Sequence, residues 1–110
     1  MLKHEFLLLE KVPEKISIAN YVREDLIVVS DDFILENHIP IMQVRMYWES
    51  LTVLNEGINY YGTTIIDKDM AKELKERLCI YCKESEELTK FLSLLDRAIK
   101  ENKFIIHFGV

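Results

Sequence analysis

From Asp67 onward the sequence leaves little choice of fold. Met70, Leu74, Leu78 and Tyr81 recur at helical spacing along one face, and Lys72, Glu73, Lys75 and Glu76 occupy the opposite one. Asp67 is placed to cap the start and Asp69 adds negative charge to the first turn, so the spacing predicts a helix running to about Lys83. Ser85 opens a second helix with Glu86 and Glu87 in its first turn. Its buried stripe is Leu88, Phe91, Leu92, Leu95, Ala98 and Ile99, and Asn102 ends it. Lys103 to Phe108 (KFIIHF) behaves differently, because Phe104, Ile106 and Phe108 on one side and Ile105 on the other make both faces apolar. Such a segment is a strand set inside a sheet. The expected class is therefore α+β: an antiparallel sheet built from short N-terminal strands and a central hairpin, with two helices packed on one face and the C-terminal strand inside the sheet.

The N-terminal half supplies those strands. His4 to Glu10 (HEFLLLE) is a short apolar run closed by Lys11-Val12-Pro13-Glu14 and reads as a buried strand or a fragment of helix, with the strand favoured. Ile16 to Val22 alternates loosely, Arg23-Glu24-Asp25 interrupts it, and the β-branched run Leu26-Ile27-Val28-Val29 follows, as two strands joined by a charged turn would require. Ser30-Asp31-Asp32 is a second turn signal, Phe33-Ile34-Leu35 reads as a further strand, and Asn37-His38-Ile39-Pro40 closes it. Residues 41–54 admit two readings. As a strand, Met42, Val44, Met46 and Trp48 share the core face, with a break needed near Glu49 to Ser50. As a helix, Ile41, Val44, Trp48, Leu51 and Leu54 form the stripe. The β-branched and aromatic content favours the strand, with Asn55-Glu56-Gly57 as a hairpin loop and Ile58 to Ile66 returning antiparallel.

A chain of 110 residues that is 49% hydrophobic and 30% charged is sized for one domain, residues 1–110, with enough apolar surface to order itself. No apolar run approaches the roughly 20 residues of a membrane-spanning helix, and the first residues lack the apolar core of a secretion signal, so cytoplasmic residence is the expectation. The formal charge of −5 is unevenly placed. Residues 24–56 hold seven acids (Glu24, Asp25, Asp31, Asp32, Glu36, Glu49, Glu56) and one base, Arg45, for a net of −6. A negative field there repels nucleic acid and anionic membrane and steers basic partners toward it.

The constellations that could carry chemistry are sparse. Cys79-Ile80-Tyr81-Cys82 has redox spacing but lies at the closing turn of its helix, where the dipole opposes a thiolate. No second pair completes a zinc site, so core cysteines are expected and no metal or cofactor is. His4, His38 and His107 lie far apart in the chain, and His107 on an apolar strand reads as a hydrogen-bonded core histidine. Asp31-Asp32 and Glu86-Glu87 are adjacent, so each pair diverges instead of converging on a reacting atom. The expectation is a protein that is not an enzyme. What remains is an aromatic and acidic surface: Tyr47 and Glu49 projecting away from the core, with Tyr60 or Tyr61 beside them across the hairpin.

Tyr60-Tyr61-Gly62, the helix after it and the closing run LTKFLSLLDRAIKENKFIIHF resemble the layout of the barstar-like ribonuclease inhibitors. More broadly, the size and acidic balance are similar to those of immunity proteins of bacterial toxin systems. In the barstar-like family the acids that plug the nuclease follow the YYG motif on a helix; here Thr63-Thr64-Ile65-Ile66 follows it and the acids come earlier. The resemblance implies a cytoplasmic bacterial protein that binds and occludes a cognate, basic toxin, with Asp31, Asp32, Glu36, Tyr47, Glu49, Tyr60 and Tyr61 as the proposed contacts. A homo-oligomeric structural or regulatory module, such as a homodimer paired through Trp48 and the hairpin, is the alternative.

Overall fold

A strand apolar on both faces needs neighbours on both sides, and β6 (Phe104–Phe108) has them: β1 (Lys3–Leu9) and β5 (Thr63–Ile66) flank it, both antiparallel. The computed structural model describes residues 2–12, 25–81 and 83–110. Outside β1 lies β2 (Leu26–Ser30), and beyond β5 come β3 (Arg45–Trp48) and β4 (Leu54–Glu56), giving among the described residues a six-stranded sheet of order β2-β1-β6-β5-β3-β4. The α+β expectation, with the C-terminal strand inside an antiparallel sheet, describes this architecture. The strand expected over Ile16 to Val22 lies outside the described residues, as does Cys82.

Register explains the double-sided pattern of β6. On one face Leu8, Ile105 and Ile66 form a row, and beside it run Ile27, Phe6, His107, Thr64 and Trp48. On the other face Leu26, Leu7, Ile106, Ile65, Tyr47 and Leu54 line up across all six strands, with Leu7, Ile106 and Ile65 buried. The first face carries the main core. α3 (Lys68–Tyr81) and α4 (Glu86–Glu101) pack on it through Leu74, Leu78, Phe91 and Leu95, all buried, and Phe6 meets Phe91 edge-on at 4.8 Å. Both helices start as their sequences require. Asp67 Oδ1 accepts the Met70 N–H at 2.8 Å and Ser85 Oγ accepts the Leu88 N–H at 3.0 Å. Asn102 ends α4 in the left-handed conformation, at φ 54.

The connection after β2 corrects the sequence reading. Ser30 does not open a turn into another strand; its Oγ accepts the Phe33 N–H at 3.2 Å and caps α1 (Asp31–Glu36). Phe33 and Ile34 are buried while Leu35 is exposed, which suits a short helix and not an alternating strand. Asn37 leads directly into α2 (His38–Met42), so Pro40 sits inside a helical turn. Residues 41–54 then divide between the two readings. The helix stops at Met42, which is exposed and not on the core face, and the strand runs only over Arg45–Trp48. The break expected near Glu49 is the turn itself: Glu49 adopts φ 64, Ser50 N–H bonds back to the Trp48 carbonyl at 2.7 Å, and β4 begins at Leu54. Gly57, at φ 76, therefore leaves β4 instead of closing the hairpin. Of Ile58 to Ile66 only β5 is strand, and it pairs with β3 on the side away from β4.

If the helix-covered face is the main core, Phe91→Ala should cost about 3–5 kcal/mol in urea unfolding. Leu54→Ala, at the exposed edge, should cost less than about 1 kcal/mol.

Candidate partner-binding face at one end of the sheet

In an antiparallel sheet, alternate strands begin and finish at the same end. Here that places the start of β1, the finish of β2, the finish of β6, the start of β5 and the finish of β3 together. The segments leaving those termini carry Asp31, Asp32, Glu49, Tyr60 and Tyr61. Three separate stretches of sequence thus meet on one surface because of strand polarity.

Its geometry is specific. The Tyr60 hydroxyl donates to Asp31 Oδ1, and the same oxygen accepts from His4 Nε2 at 3.0 Å. These bonds, Tyr60's foremost, hold the Asp31 carboxyl below its ordinary range, and the carboxylate in turn pushes the Tyr60 hydroxyl up to about 12. Tyr60 and Tyr61 rings meet edge-on at 4.8 Å, and Tyr61 is 81% exposed, the most open large hydrophobic side chain among the described residues. Glu49 turns its carboxylate inward along the surface: Oε1 accepts the Thr63 N–H and the Asn59 side-chain N–H, each at 2.8 Å. Beneath, Val110 N–H bonds the Tyr60 carbonyl at 3.0 Å and Gly109 N–H the Gly62 carbonyl at 2.8 Å. A side chain at Gly109 would collide with the backbone of Tyr60 and Gly62, so the loop rests directly on the chain's last residues.

Each proposed contact has a place. Asp31 and Tyr60 form the hydrogen-bonded centre, Tyr61 is the exposed ring, and Asp32 is exposed in the first turn of α1. Glu49 belongs to this end but is committed to the loop. Glu36 does not join them. It lies at the far end of α1, along a depression shared with Lys83, Glu84 and Glu87. Tyr47 lies on the sheet face opposite the main core, next to Ile65 and Leu54.

Sequence reasoning missed the support underneath. His4 and His107, distant in the chain, meet in the core, with His4 Nδ1 2.8 Å from His107 Nε2, and His107 Nδ1 is 3.0 Å from Thr64 Oγ1. All three are buried. His107 is the hydrogen-bonded core histidine its strand implied. His4 is its diagonal neighbour across β1 and β6, a contact visible only once Phe6 is known to sit opposite His107. Cys79, expected in the core, is instead exposed, in the groove between α3 and α4 beside Lys75 and Ile80. Among the described residues no three His, Cys, Asp or Glu side chains converge as a metal site, and no helix is long and apolar enough to cross a membrane. The chain matches no protein-family model, no curated protein and no solved structure.

Burial first, and then the neighbouring His4, push His107 from its ordinary 6.5 down to about 3. Between those values the unfolded chain binds the extra proton, so stability is complete above about pH 6.5 and falls as the pH drops toward 3. Urea unfolding at stepped pH should show this loss, on the order of a few kcal/mol, and a flatter profile for His107→Gln.

Proposed function

We propose that the chain is an immunity- or antitoxin-type protein, acting without catalysis, that binds a basic protein toxin through the sheet end bearing Asp31, Asp32, Tyr60 and Tyr61. The observation that supports this reading is the open Tyr61 ring packed against Tyr60 of the Asp31–Tyr60 pair, with Asp32 exposed in the first turn of α1 beside Asp31. A rigid aromatic ring is what interface hot spots use, and carboxylates around it draw a cationic surface and set its orientation. Glu49 serves by shaping the loop. Tyr47 and Glu36 fall outside this face and are not retained as contacts. Occlusion, not chemistry, suits such a surface, because Asp31 is already committed to Tyr60 and His4.

The tagged chain should recover a basic protein in a one-to-one complex from its native host, and co-production should restore the growth of cells making that protein. Asp32→Lys and Tyr61→Ala should each weaken the complex by about 1–3 kcal/mol, on the order of tenfold to a hundredfold in Kd. Recovery of no basic partner, or a partner whose toxicity persists, would remove this reading.

One observation favours the alternative of a homo-oligomeric module. The two sheet edges are treated differently. At β2, Lys90 Nζ donates to the Val28 carbonyl at 3.1 Å and Glu87 accepts the Ser30 N–H at 2.6 Å, closing that edge with side chains of α4. At β4, Leu54, Asn55 and Glu56 are exposed, no described residue bonds the outer edge, and Leu51 and Val53 beside it are nearly half exposed. Two copies pairing edge to edge would cover it. Light scattering at high concentration should then give twice the 13.0 kDa chain mass, and Leu54→Lys should return the monomer; a monomer throughout excludes this alternative.

A further inference from the structure

Beneath the tyrosine loop, hydrogen bonds run from Asn59 through Thr64, His107, His4 and Asp31 to Tyr60, so both ends of the network grip adjacent residues of the same loop. One carboxylate sets every proton in it. Ionised Asp31 accepts, so His4 Nε2 carries hydrogen; Nδ1 of a neutral His4 is then bare and takes the His107 Nε2–H. His107 Nδ1 is bare in turn and takes the Thr64 hydroxyl hydrogen, while Thr64 Oγ1 accepts the Asn59 N–H at 2.8 Å. In this arrangement each of these groups is used, and none of the described buried side-chain polar atoms lacks a partner.

We propose that this network is a proton-operated latch on the Tyr60–Tyr61 segment: one proton taken up by the Asp31–His4–His107 set reverses the chain of donors and loosens the loop. The inference rests on reading that loop as the partner contact. With the proton added, His4 Nδ1–H points at His107 Nε2, and neutral His107 must carry its hydrogen on Nδ1, aimed at Thr64 Oγ1. The Thr64 hydroxyl hydrogen loses its acceptor inside a buried site, where an unpartnered donor is costly. Thr64 escapes by turning away from His107, and the oxygen it moves is the one holding the Asn59 N–H. Because burial keeps His107 uncharged down to about pH 3, the charge of the first proton does not rest there. A second proton would set N–H against N–H across 2.8 Å.

The groups facing the pair are few. α1 contributes Asp31, the loop contributes Tyr60 with Tyr61 against it, and β5 contributes Thr64. β2 places Val29 opposite His4, β1 places Phe6 against His107, and α4 reaches this end with Glu87, which is bound to Ser30 N and Oγ. Asp31 is therefore the one carboxylate of the described residues bonded to the histidines.

The test uses the full chain and the proton as probe. Nitrogen-15 spectra of the histidines, with hydrogen-exchange protection at the Asn59 and Gly62 amides, are followed from pH 7.5 to about 4.5 while circular dichroism confirms the native fold. The expected result is a shift of His107 from the Nε2–H to the Nδ1–H tautomer, with a fall of at least about tenfold in Asn59 protection at the same pH. Thr64→Ser should keep this transition, and Thr64→Val, which removes the hydroxyl, should leave Asn59 weakly protected at every pH. A His107 tautomer that persists, or Asn59 protection that stays constant across this range, overturns the latch. Capture of a basic partner at pH 7.5 with constant protection removes the latch and keeps the binding reading; a working latch with no basic partner does the reverse.

Discussion

The placement of β6 between β1 and β5 is the constraint on which the other features depend. Its two apolar faces oblige the sheet to offer cover on both sides, and its antiparallel pairing with both neighbours brings their starts to its own finish. That geometry delivers His4 and Thr64 to either side of His107. It also brings Asp31, which follows β2, and Tyr60, which precedes β5, to the same end. A sheet with β6 at its edge would leave His107 with one neighbouring strand, and the network joining His4 to Thr64 through it could not form.

The polar residues sit in a row that is otherwise core. Phe6 packs against His107 at 4.9 Å and against Phe91 at 4.8 Å, so the transition from apolar to polar takes place over the two residues from Phe6 to His4 along β1. Histidine suits that border. Uncharged, it contributes an aromatic ring to the packing and one donor and one acceptor to a hydrogen-bonded line, so two rings in series span the gap between a surface carboxylate and a buried hydroxyl. A pair of apolar residues would fill the same space but leave the buried Thr64 hydroxyl without its inward partner and take from Asp31 one of its two donors.

How much of this was legible follows from how local each signal is. Asp67, Ser85 and Asn102 act within one turn of their own positions, and the α3 and α4 boundaries could be read from them. The double-sided pattern of KFIIHF placed β6 correctly for the same reason. Ser30 misled because serine before two aspartates suits a turn and a helix cap equally; the N–H of Phe33 decided it. Glu49 misled in the other direction, since a glutamate at φ 64 is held by bonds to Thr63 and Asn59 that no local pattern announces. The His4–His107 contact spans 103 positions and depends on register, so composition and spacing could show only that each histidine lay in an apolar run. Tyr60 and Tyr61 were singled out for their chemistry, but their meeting with Asp31, and the separation of Glu36 and Tyr47 from them, needed strand polarity.

The support under Tyr60 also makes the loop a report on the whole sheet. Its residues are far in sequence from what they rest on: His4 of β1, and His107, Gly109 and Val110 in and after β6. Folding in small domains is cooperative across the whole sheet, so Tyr60 and Tyr61 gain their seat only when β1 and β6 have paired. An ordered tyrosine loop is therefore the mark of a closed sheet, and a chain in which β1 and β6 have parted loses the face together with the network.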